Sequence, residues 1–435
     1  MDALDGMAGP LELLRARGLV QDVTDEDALR DAFAAGRVTF YVGFDPTAPS
    51  LHAGNLVGMM AMAWLQRAGH RPIALAGGGT GRIGDPSGRD TERTVLGEDE
   101  LAANLEGIRR QLGAFLELDD AEGGERGFLV DNFTWLARLD LLGFLRDVGV
   151  HSPVGAMLGR ESVKRRLEGR EQGISYTEFT YQLLQAYDFV HLHRAHGCVL
   201  QGGGSDQWGN ITAGIDLARR LDGAQLHGLV WPLLTTADGA KFGKSAGNAV
   251  WLDAAMTSPY AYYQYWFNAA DDDVERFLRL FTFLPLAEVA EVAAQHAHDR
   301  SARHGQRVLA REATRILHGD EGVASAERAT DVLFGDEPYG SLGDDVLADA
   351  FDEAPSVELP RARLDDGIGV LELMTAIGAS ASNGEARRLV QQGAVRINNV
   401  VIDDAARVVT PADLAGETIV VLRTGKRRQF LARFV

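Results

Sequence analysis

The sequence predicts an α/β fold: a parallel-sheet domain first, an α-helical domain after it, and a small α+β module at the end. Three observations carry that assignment. Residues 39–76 read as strand, loop, helix and strand; residues 197–221 repeat the strand, Gly-rich turn and helix; and the helical spacing that sets in at Pro259 gives way, near Ser382, to a helix followed by a hairpin signal. The expected partition is 1–250 for the sheet domain, with a helical insertion at about 134–173, then 251–335 as a helical domain, 336–360 as a linker rich in Asp, Gly, Ser and Pro, and 361–435 as the terminal module.

Composition bounds the answer before any motif does. At 435 residues the chain has room for two or three domains, each with its own core. Its first residues are polar and acidic, and no apolar stretch is long enough to span a bilayer, so neither a signal peptide nor a membrane span is expected. The single cysteine, Cys198, excludes a disulfide framework and a thiolate cluster and points to a reducing, cytoplasmic setting. The net charge of −19, taken alone, disfavours a nucleic-acid partner. From Arg361 onward, however, eleven basic residues face eight acidic ones, so that tail is +3 against −22 for the rest. Such an asymmetry marks either a solvated surface or an appended module for a polyanion.

Taken in order, Leu11–Gly36 reads as helical. Thr39–Val42 is a strand; the loop behind it is punctuated by Pro46 and Pro49; the Ala- and Met-rich stretch Leu56–Ala68 is a helix stopped by Gly69; and Pro72–Ala76 is the next strand, running into Gly77–Gly79. This is one βαβ unit of a Rossmann-like sheet, and it places the loop after the first strand and the tip of the helix on the same sheet edge. His52, Gly54 and Asn55 fall at that tip, where free N–H groups and the positive helix end attract an anion. The same tetrapeptide would also serve as a plain helix cap. Asp90–Leu118 reads as a charged amphipathic helix beyond a loop carrying Arg89 and Arg93, and Gly127–Asn132 as a short strand. The insertion holds a basic cluster, Arg160, Lys164, Arg165, Arg166 and Arg170, with Arg160 and Lys164 on one helix face.

Ser175-Tyr176-Thr177-Glu178 has the form of a capping box. Behind it Tyr181, Gln185 and Asp188, spaced four and three apart, share a face. A phenol, an amide and a carboxylate need partners if buried, and a bound polar molecule would supply them; the alternative is an ordinary solvent-facing stripe. The second strand–turn–helix runs from Gly197–Leu200 through Gln201-Gly202-Gly203-Gly204-Ser205-Asp206-Gln207-Trp208 into Ile211–Leu221, and sets an acid where a ribose hydroxyl would meet it. Lys241-Phe242-Gly243-Lys244-Ser245 is a Gly-flanked basic loop suited to departing phosphates, or a flexible surface loop. Pro259–Gly335 reads as a separate helical bundle. At the end, Ser382–Val390 carries the paired arginines Arg387 and Arg388, followed by Gly393 and a hairpin containing Arg396.

This terminal segment resembles the S4 RNA-binding domain. His52-Ala53-Gly54-Asn55 and Lys241-Phe242-Gly243-Lys244-Ser245 resemble the HIGH and KMSKS signatures of class I aminoacyl-tRNA synthetases, in the same order. Tyr41-Val42-Gly43-Phe44-Asp45-Pro46-Thr47, Gly84-Asp85-Pro86-Ser87-Gly88, Gln185-Ala186-Tyr187-Asp188 and Gly203–Asn210 are similar to bacterial tyrosyl-tRNA synthetases, from about residue 10 to the end.

The resemblance implies a two-step reaction on substrate nucleophiles alone. A tyrosine carboxylate attacks the α-phosphate of ATP, releasing pyrophosphate, and a ribose hydroxyl at the tRNA 3′ end then attacks the acyl carbonyl. Mg²⁺ accompanies ATP, with no metal held tightly by protein. Thr47 and His52 would meet the γ-phosphate, with Asn55 closing that signature; Arg89, Arg93, Lys241 and Lys244 would gather pyrophosphate; Gly43, Asp45, Gly54, Gly204 and Asp206 would hold the nucleotide. Tyr41 and Asp188 would take the substrate phenol, Asp85, Tyr181 and Gln185 its ammonium group, and Gln201 and Gln207 the rest of the polar lining. Phenylalanine would then leave Asp188 buried without a partner. Arg160, Lys164, Arg165, Arg166, Arg387, Arg388 and Arg396 would bind tRNA, on a homodimer paired through the insertion. Asn55 departs from the signature, since an amide donates a hydrogen bond but carries no charge. Val42 and Gly58 stand where some relatives carry a polar side chain that reaches ribose. The rivals are a tryptophanyl enzyme on the same sheet and an RNA-binding protein or nucleotidyltransferase on a related scaffold. The Tyr41/Asp188 pair, both loop lysines and the S4-like module speak against them.

Overall fold

The computed structural model describes residues 4–84, 97–160, 163–164, 167, 174–237, 242–245, 248–334, 338–340, 342–351, 354–425 and 428–435, without the side chains of 98, 244, 245, 248 and 334. By contact the chain forms two compact units: Met1–Asp253 with Phe267–Leu317, and Ala254–Trp266 with His318–Val435.

The first unit is built on six strands, β1 (Asp22–Val23), β2 (Thr39–Phe44), β3 (Arg71–Ala76), β4 (Phe128–Asp131), β5 (Cys198–Gly204) and β6 (His227–Trp231), in the order β1-β6-β5-β2-β3-β4. Neighbours are parallel except β1, which lies antiparallel on β6. The chain steps outward from β2 to β3 to β4 and then returns to lay β5 on the other side of β2. The order reverses between β2 and β5, so the loops at their carboxyl ends part and leave a crevice, the place where open α/β sheets take ligands. Nearly every residue of β2 and β3 is buried, as strands covered on both faces require. One cover is the helix Leu56–Arg67, in which Leu56 through Leu65 are all buried. Tyr41, Ile73, Leu75, Phe128 and Val130 pack with Phe189, Val190 and Leu192 of the helix Tyr176–His196.

Leu11–Gly36 is two helices rather than one. Gly18, at φ 82°, ends Pro10–Arg17 in a left-handed turn that glycine adopts without cost, and β1 follows. The Asp25 carboxylate then caps Glu26–Ala35, accepting from Ala28 N–H at 3.0 Å. The amphipathic helix expected from Asp90 runs Glu98–Leu112.

In the second unit, strands Val395–Ile397, Val400–Ile402, Ile419–Thr424 and Arg428–Phe434 form an antiparallel sheet that Ser356–Leu359 joins parallel to Arg428–Phe434. Alternate residues serve two cores: Val420 and Leu422 face Val370, Leu373 and Val390, while Ile419 and Val421 face Leu347, Phe351 and Ala329. The stretch expected as a linker therefore supplies a helix, Asp344–Ala350, and an edge strand, with Tyr339, Leu342, Leu347 and Phe351 buried. Its polar composition hid a few apolar residues at the spacing that covers a sheet face. The helices expected as one bundle are divided between the units, and the last of them, His304–Phe334, breaks helical geometry at Gly319. Ser382 caps the helix Asn383–Gln391, and the hairpin beyond it turns through Asn398 and Asn399, both at positive φ.

Candidate active site

A cavity of about 570 Å³ occupies the β2/β5 crevice. Among its lining residues are Tyr41, Gly43, Asp45, Thr47, His52, Gly54, Asn55, Tyr181, Gln185, Asp188, Gln201, Gly204, Asp206 and Gln207. Residues from four separate segments thus converge on one space. Asp85, Arg89, Arg93, Lys241, Arg165 and Arg166 lie outside the described residues, as does Arg170; the backbone of Lys244 is described and its side chain is not.

One end of the cavity is organised around Asp188. The capping box Ser175/Glu178 starts the helix Tyr176–His196, and its periodicity aims Tyr181, Gln185 and Asp188 the same way. Asp188 is 1% exposed, with Oδ2 accepting from Asn132 Nδ2 at 2.9 Å and Oδ1 from Trp135 Nε1 at 2.8 Å. Burial pushes its carboxyl up to about 7, against the pull of those two bonds. Asn132 is itself held by the Thr80 hydroxyl at 3.0 Å, and the Trp135 indole stacks on His191 at 4.3 Å. Tyr41 lies edge-on to Phe189, and its buried hydroxyl has no partner among the described residues; burial, with Asp188 close by, holds its proton on. The expectation that phenylalanine would strand Asp188 needs correction, because Asn132 and Trp135 already satisfy it in part. The unmet group at this end is the Tyr41 hydroxyl.

Asn132 and Trp135 escaped the sequence reading. The available signal was position: Asn132 directly follows β4, and polar residues at the carboxyl ends of parallel strands face the crevice. Between the two ends of the cavity runs an amide chain. Gln185 Nε2 and Asn210 Nδ2 both donate to Gln207 Oε1, at 3.3 and 3.1 Å, while Gln185 Oε1 and Gln201 Oε1 are buried without partners among the described residues.

The other end is the tip of the helix Leu56–Arg67. Gly54 N–H donates to His52 Nδ1 at 3.0 Å and His52 N–H donates to Asn55 Oδ1 at 3.0 Å. The ring of a neutral His52 then carries its proton on Nε2, and Asn55 keeps its NH₂ as the donating end. The basic loop is stitched to this tip through backbone. Val250 N–H donates to Gly243 O at 3.0 Å and Ala53 N–H donates to Val250 O at 2.8 Å. Gly243 sits at φ +86°, and a Cβ there would lie 2.6 Å from Gly54 N. Phe242 is anchored beneath, stacked on Phe281 at 5.0 Å.

The lack of a side chain at Gly58 has a steric reason: the Trp231 ring fills the space beside it, so that a Cβ at Gly58 would meet the ring at 2.8 Å, and one at Gly202 would meet it at 2.9 Å. Nothing in the structure explains Val42. Among the described residues, no group of three or more His, Cys, Asp or Glu could hold a metal ion. Of the basic residues, Lys164, Arg387 and Arg388 are exposed, Arg396 braces its hairpin by donating to Asn399 O at 3.0 Å, and Arg160 is half-buried near Asp216.

Two family models match the chain: one described as class I tRNA synthetases (W and Y) over residues 34–335, and one described as the tyrosine–tRNA ligase SYY-like C-terminal domain over 346–432. The chain is 48% identical over 424 residues to a tyrosine–tRNA ligase of Rhodopirellula baltica, covering 97% of this chain and 96% of the relative. It is 50% identical over 423 residues to one of Nocardia farcinica, covering 96% of each. Among solved structures, a C-terminally truncated mitochondrial tyrosyl-tRNA synthetase of Coccidioides posadasii is 37% identical, with a TM-score of 0.65 over 74% of this chain and 92% of that one. A tryptophanyl-tRNA synthetase of Plasmodium falciparum shares the fold at 12% identity, with a TM-score of 0.53 over 80% of this chain and 90% of that one.

Proposed function

The chain belongs to the tyrosine–tRNA ligase family of class I synthetases, and from that premise we propose which of its residues carry the reaction. The protein joins L-tyrosine to tRNA(Tyr) with ATP as the energy source. Asp188, Asn132, Trp135 and Tyr41 read the substrate phenol. The ionised Asp188 accepts the phenol proton, and the Tyr41 hydroxyl donates to the phenol oxygen. Tyr181 and Gln185, with Asp85, hold the ammonium group, and the orphaned Gln185 Oε1 is the acceptor that supports this.

With tyrosine so placed, its carboxylate faces the helix tip and attacks the α-phosphate of ATP. His52 Nε2–H, Thr47 and the Asn55 amide donate to the phosphates there, and Arg89, Arg93, Lys241 and Lys244 draw off pyrophosphate. Mg²⁺ arrives with the nucleotide. Asp206, beside Gly204 at the end of β5, takes the ribose hydroxyls. The adenylate's carbonyl is then attacked by the tRNA 3′-terminal ribose, so the protein places and stabilises without forming a covalent bond.

The single observation behind this reading is that the anchored Asp188 and the His52 tip bound the same cavity. Pyrophosphate exchange into ATP tests it: tyrosine should drive exchange, while phenylalanine and tryptophan should not at equal concentration. Exchange driven equally by tryptophan would overturn the assignment of the phenol pocket.

The terminal module, with Arg387 and Arg388 on its exposed helix, binds one arm of the tRNA, and the insertion with Lys164, Arg165 and Arg166 meets another; Arg160 supports that face from within. The insertion also pairs two chains. Its Leu141, Leu142 and Val150, and Tyr176 just beyond it, are each 70% exposed or more, large apolar side chains of the kind that pairing of two subunits covers. Sedimentation at micromolar protein should give a dimer, and Leu141→Asp with Leu142→Asp a monomer.

A further inference from the structure

A second cavity, about 530 Å³, lies in the first unit, lined by residues of the helices Pro10–Arg17 and Glu26–Ala35 and of the turn after Arg67. Its walls include Pro10, Leu11, Phe33 and Ala34, and also His70, which is 6% exposed. One edge of that imidazole is occupied, since Val38 N–H donates to Nδ1 at 3.1 Å. A neutral ring that accepts at Nδ1 carries its proton at Nε2. Burial keeps the ring neutral, lowering its pKa to about 4, and the Arg37 charge adds to that effect. Nε2–H is therefore a buried donor, and it has no acceptor among the described residues. Leaving such a donor unmet is unfavourable, and a ligand's oxygen would satisfy it.

The charges at the rim are already matched. Arg30 pairs with Glu12, Glu26 and Asp27, and Arg37 with Glu125. Among the described lining residues both guanidinium groups are thus already paired, and between the paired charges the walls are apolar, with His70 Nε2–H as a buried donor awaiting an acceptor. We propose that this cavity is a binding site, separate from the tyrosine and ATP cavity, for an uncharged apolar small molecule whose carbonyl oxygen accepts from His70 Nε2–H. Its volume falls in the usual range for small-molecule sites, roughly 300–1,000 Å³. The site follows the carboxyl end of the 12-residue helix whose other end is the His52 tip, so a helix length of roughly 18 Å separates the two.

Acetophenone is the probe, and ethylbenzene is its counterpart of similar shape without the oxygen. Both are titrated into the full chain at saturating L-tyrosine, with affinity read by calorimetry and location by the His70 Nε2 resonance in ¹⁵N-histidine-labelled protein. Acetophenone should shift that resonance saturably and bind about fivefold or more tighter than ethylbenzene, the worth of one neutral hydrogen bond. Ala34→Trp, at an exposed position of the rim, should abolish both effects, and His70→Phe should bring acetophenone down to ethylbenzene's affinity. A shift that does not saturate, equal affinity for the two probes, or binding untouched by Ala34→Trp would overturn the proposal. The Ala34 variant keeps the test decisive even if His70→Phe does not fold.

Discussion

The indole Nε1 of Trp135 donates a 2.8 Å hydrogen bond to Asp188 Oδ1, across 53 positions of sequence and inside a pocket wall where both residues are buried. A bond to an ionised carboxylate in such a place is worth about 1.5–3 kcal/mol. Trp135→Phe keeps most of the ring and its stack on His191 but deletes the donor. The tyrosine KM in pyrophosphate exchange should rise roughly ten- to hundredfold, with the ATP KM unchanged. A parallel rise in both constants would mean that the indole supports the pocket as a whole rather than Asp188.

Asp188 also makes stability depend on pH. Its carboxyl sits at about 7 in the folded chain against an ordinary 3.8, so between these values the folded state holds a proton that the unfolded state has lost. Folding is then penalised progressively as pH rises from about 4 to 7, and the full penalty stands above 7. Asp188→Asn removes this titration. The variant's stability relative to the parent, from urea unfolding without tyrosine, should therefore improve by a few kcal/mol between pH 4 and pH 7. A difference that stays flat over that window would contradict the burial of an ionisable group here. Tyrosine binding should show the matching trend, weakening below pH 7 as the phenol's acceptor becomes protonated.

Much of the site was legible because its spacing is local. Tyr181, Gln185 and Asp188 share a face by helical period alone, and the His52 tip follows from a strand, a loop and a helix in sequence. Tyr41 and Gln201 meet because adjacent parallel strands align them in register. What stayed hidden depends on pairings that no period encodes. Asn132 and Trp135 reach Asp188 from a different strand end, and Trp231 meets Gly58 from β6. The edge strand Ser356–Leu359 was hidden for the same reason. Its partner is Arg428–Phe434, more than sixty positions away, and its own residues read as polar linker.

The Trp231–Gly58 contact makes a steric prediction. A methyl group at Gly58 would stand 2.8 Å from the Trp231 ring, well inside contact distance, and the helix backbone it grows from has little freedom to yield. Gly58→Ala should cost about 1–3 kcal/mol of stability, read as a lower urea midpoint with an unchanged slope. Trp231→Leu, which clears the ring, should make the same Gly58→Ala change nearly neutral, so a double-mutant cycle gives a coupling of similar size. Strict additivity would show that the two positions do not press on each other.

Gly243 is where the basic loop's chemistry rests on backbone geometry. Its φ of +86° is left-handed, its carbonyl accepts from Val250 N–H, and an added Cβ would lie 2.6 Å from Gly54 N, at the helix tip proposed to meet the phosphates. Gly243→Ala therefore meets two obstacles at once: about 1–2 kcal/mol of backbone strain, and a clash with Gly54 relieved only by moving the loop at Gly243 away from the helix tip. Neither obstacle touches the phenol end, where Asp188 and Tyr41 are held by other elements. The substitution should lower kcat for tyrosine-dependent exchange by about tenfold or more while the tyrosine KM stays within about twofold. If the tyrosine KM rose and kcat held, the loop's contact with the helix tip would be shaping amino-acid binding, and its place beside the departing phosphates would have to be given up.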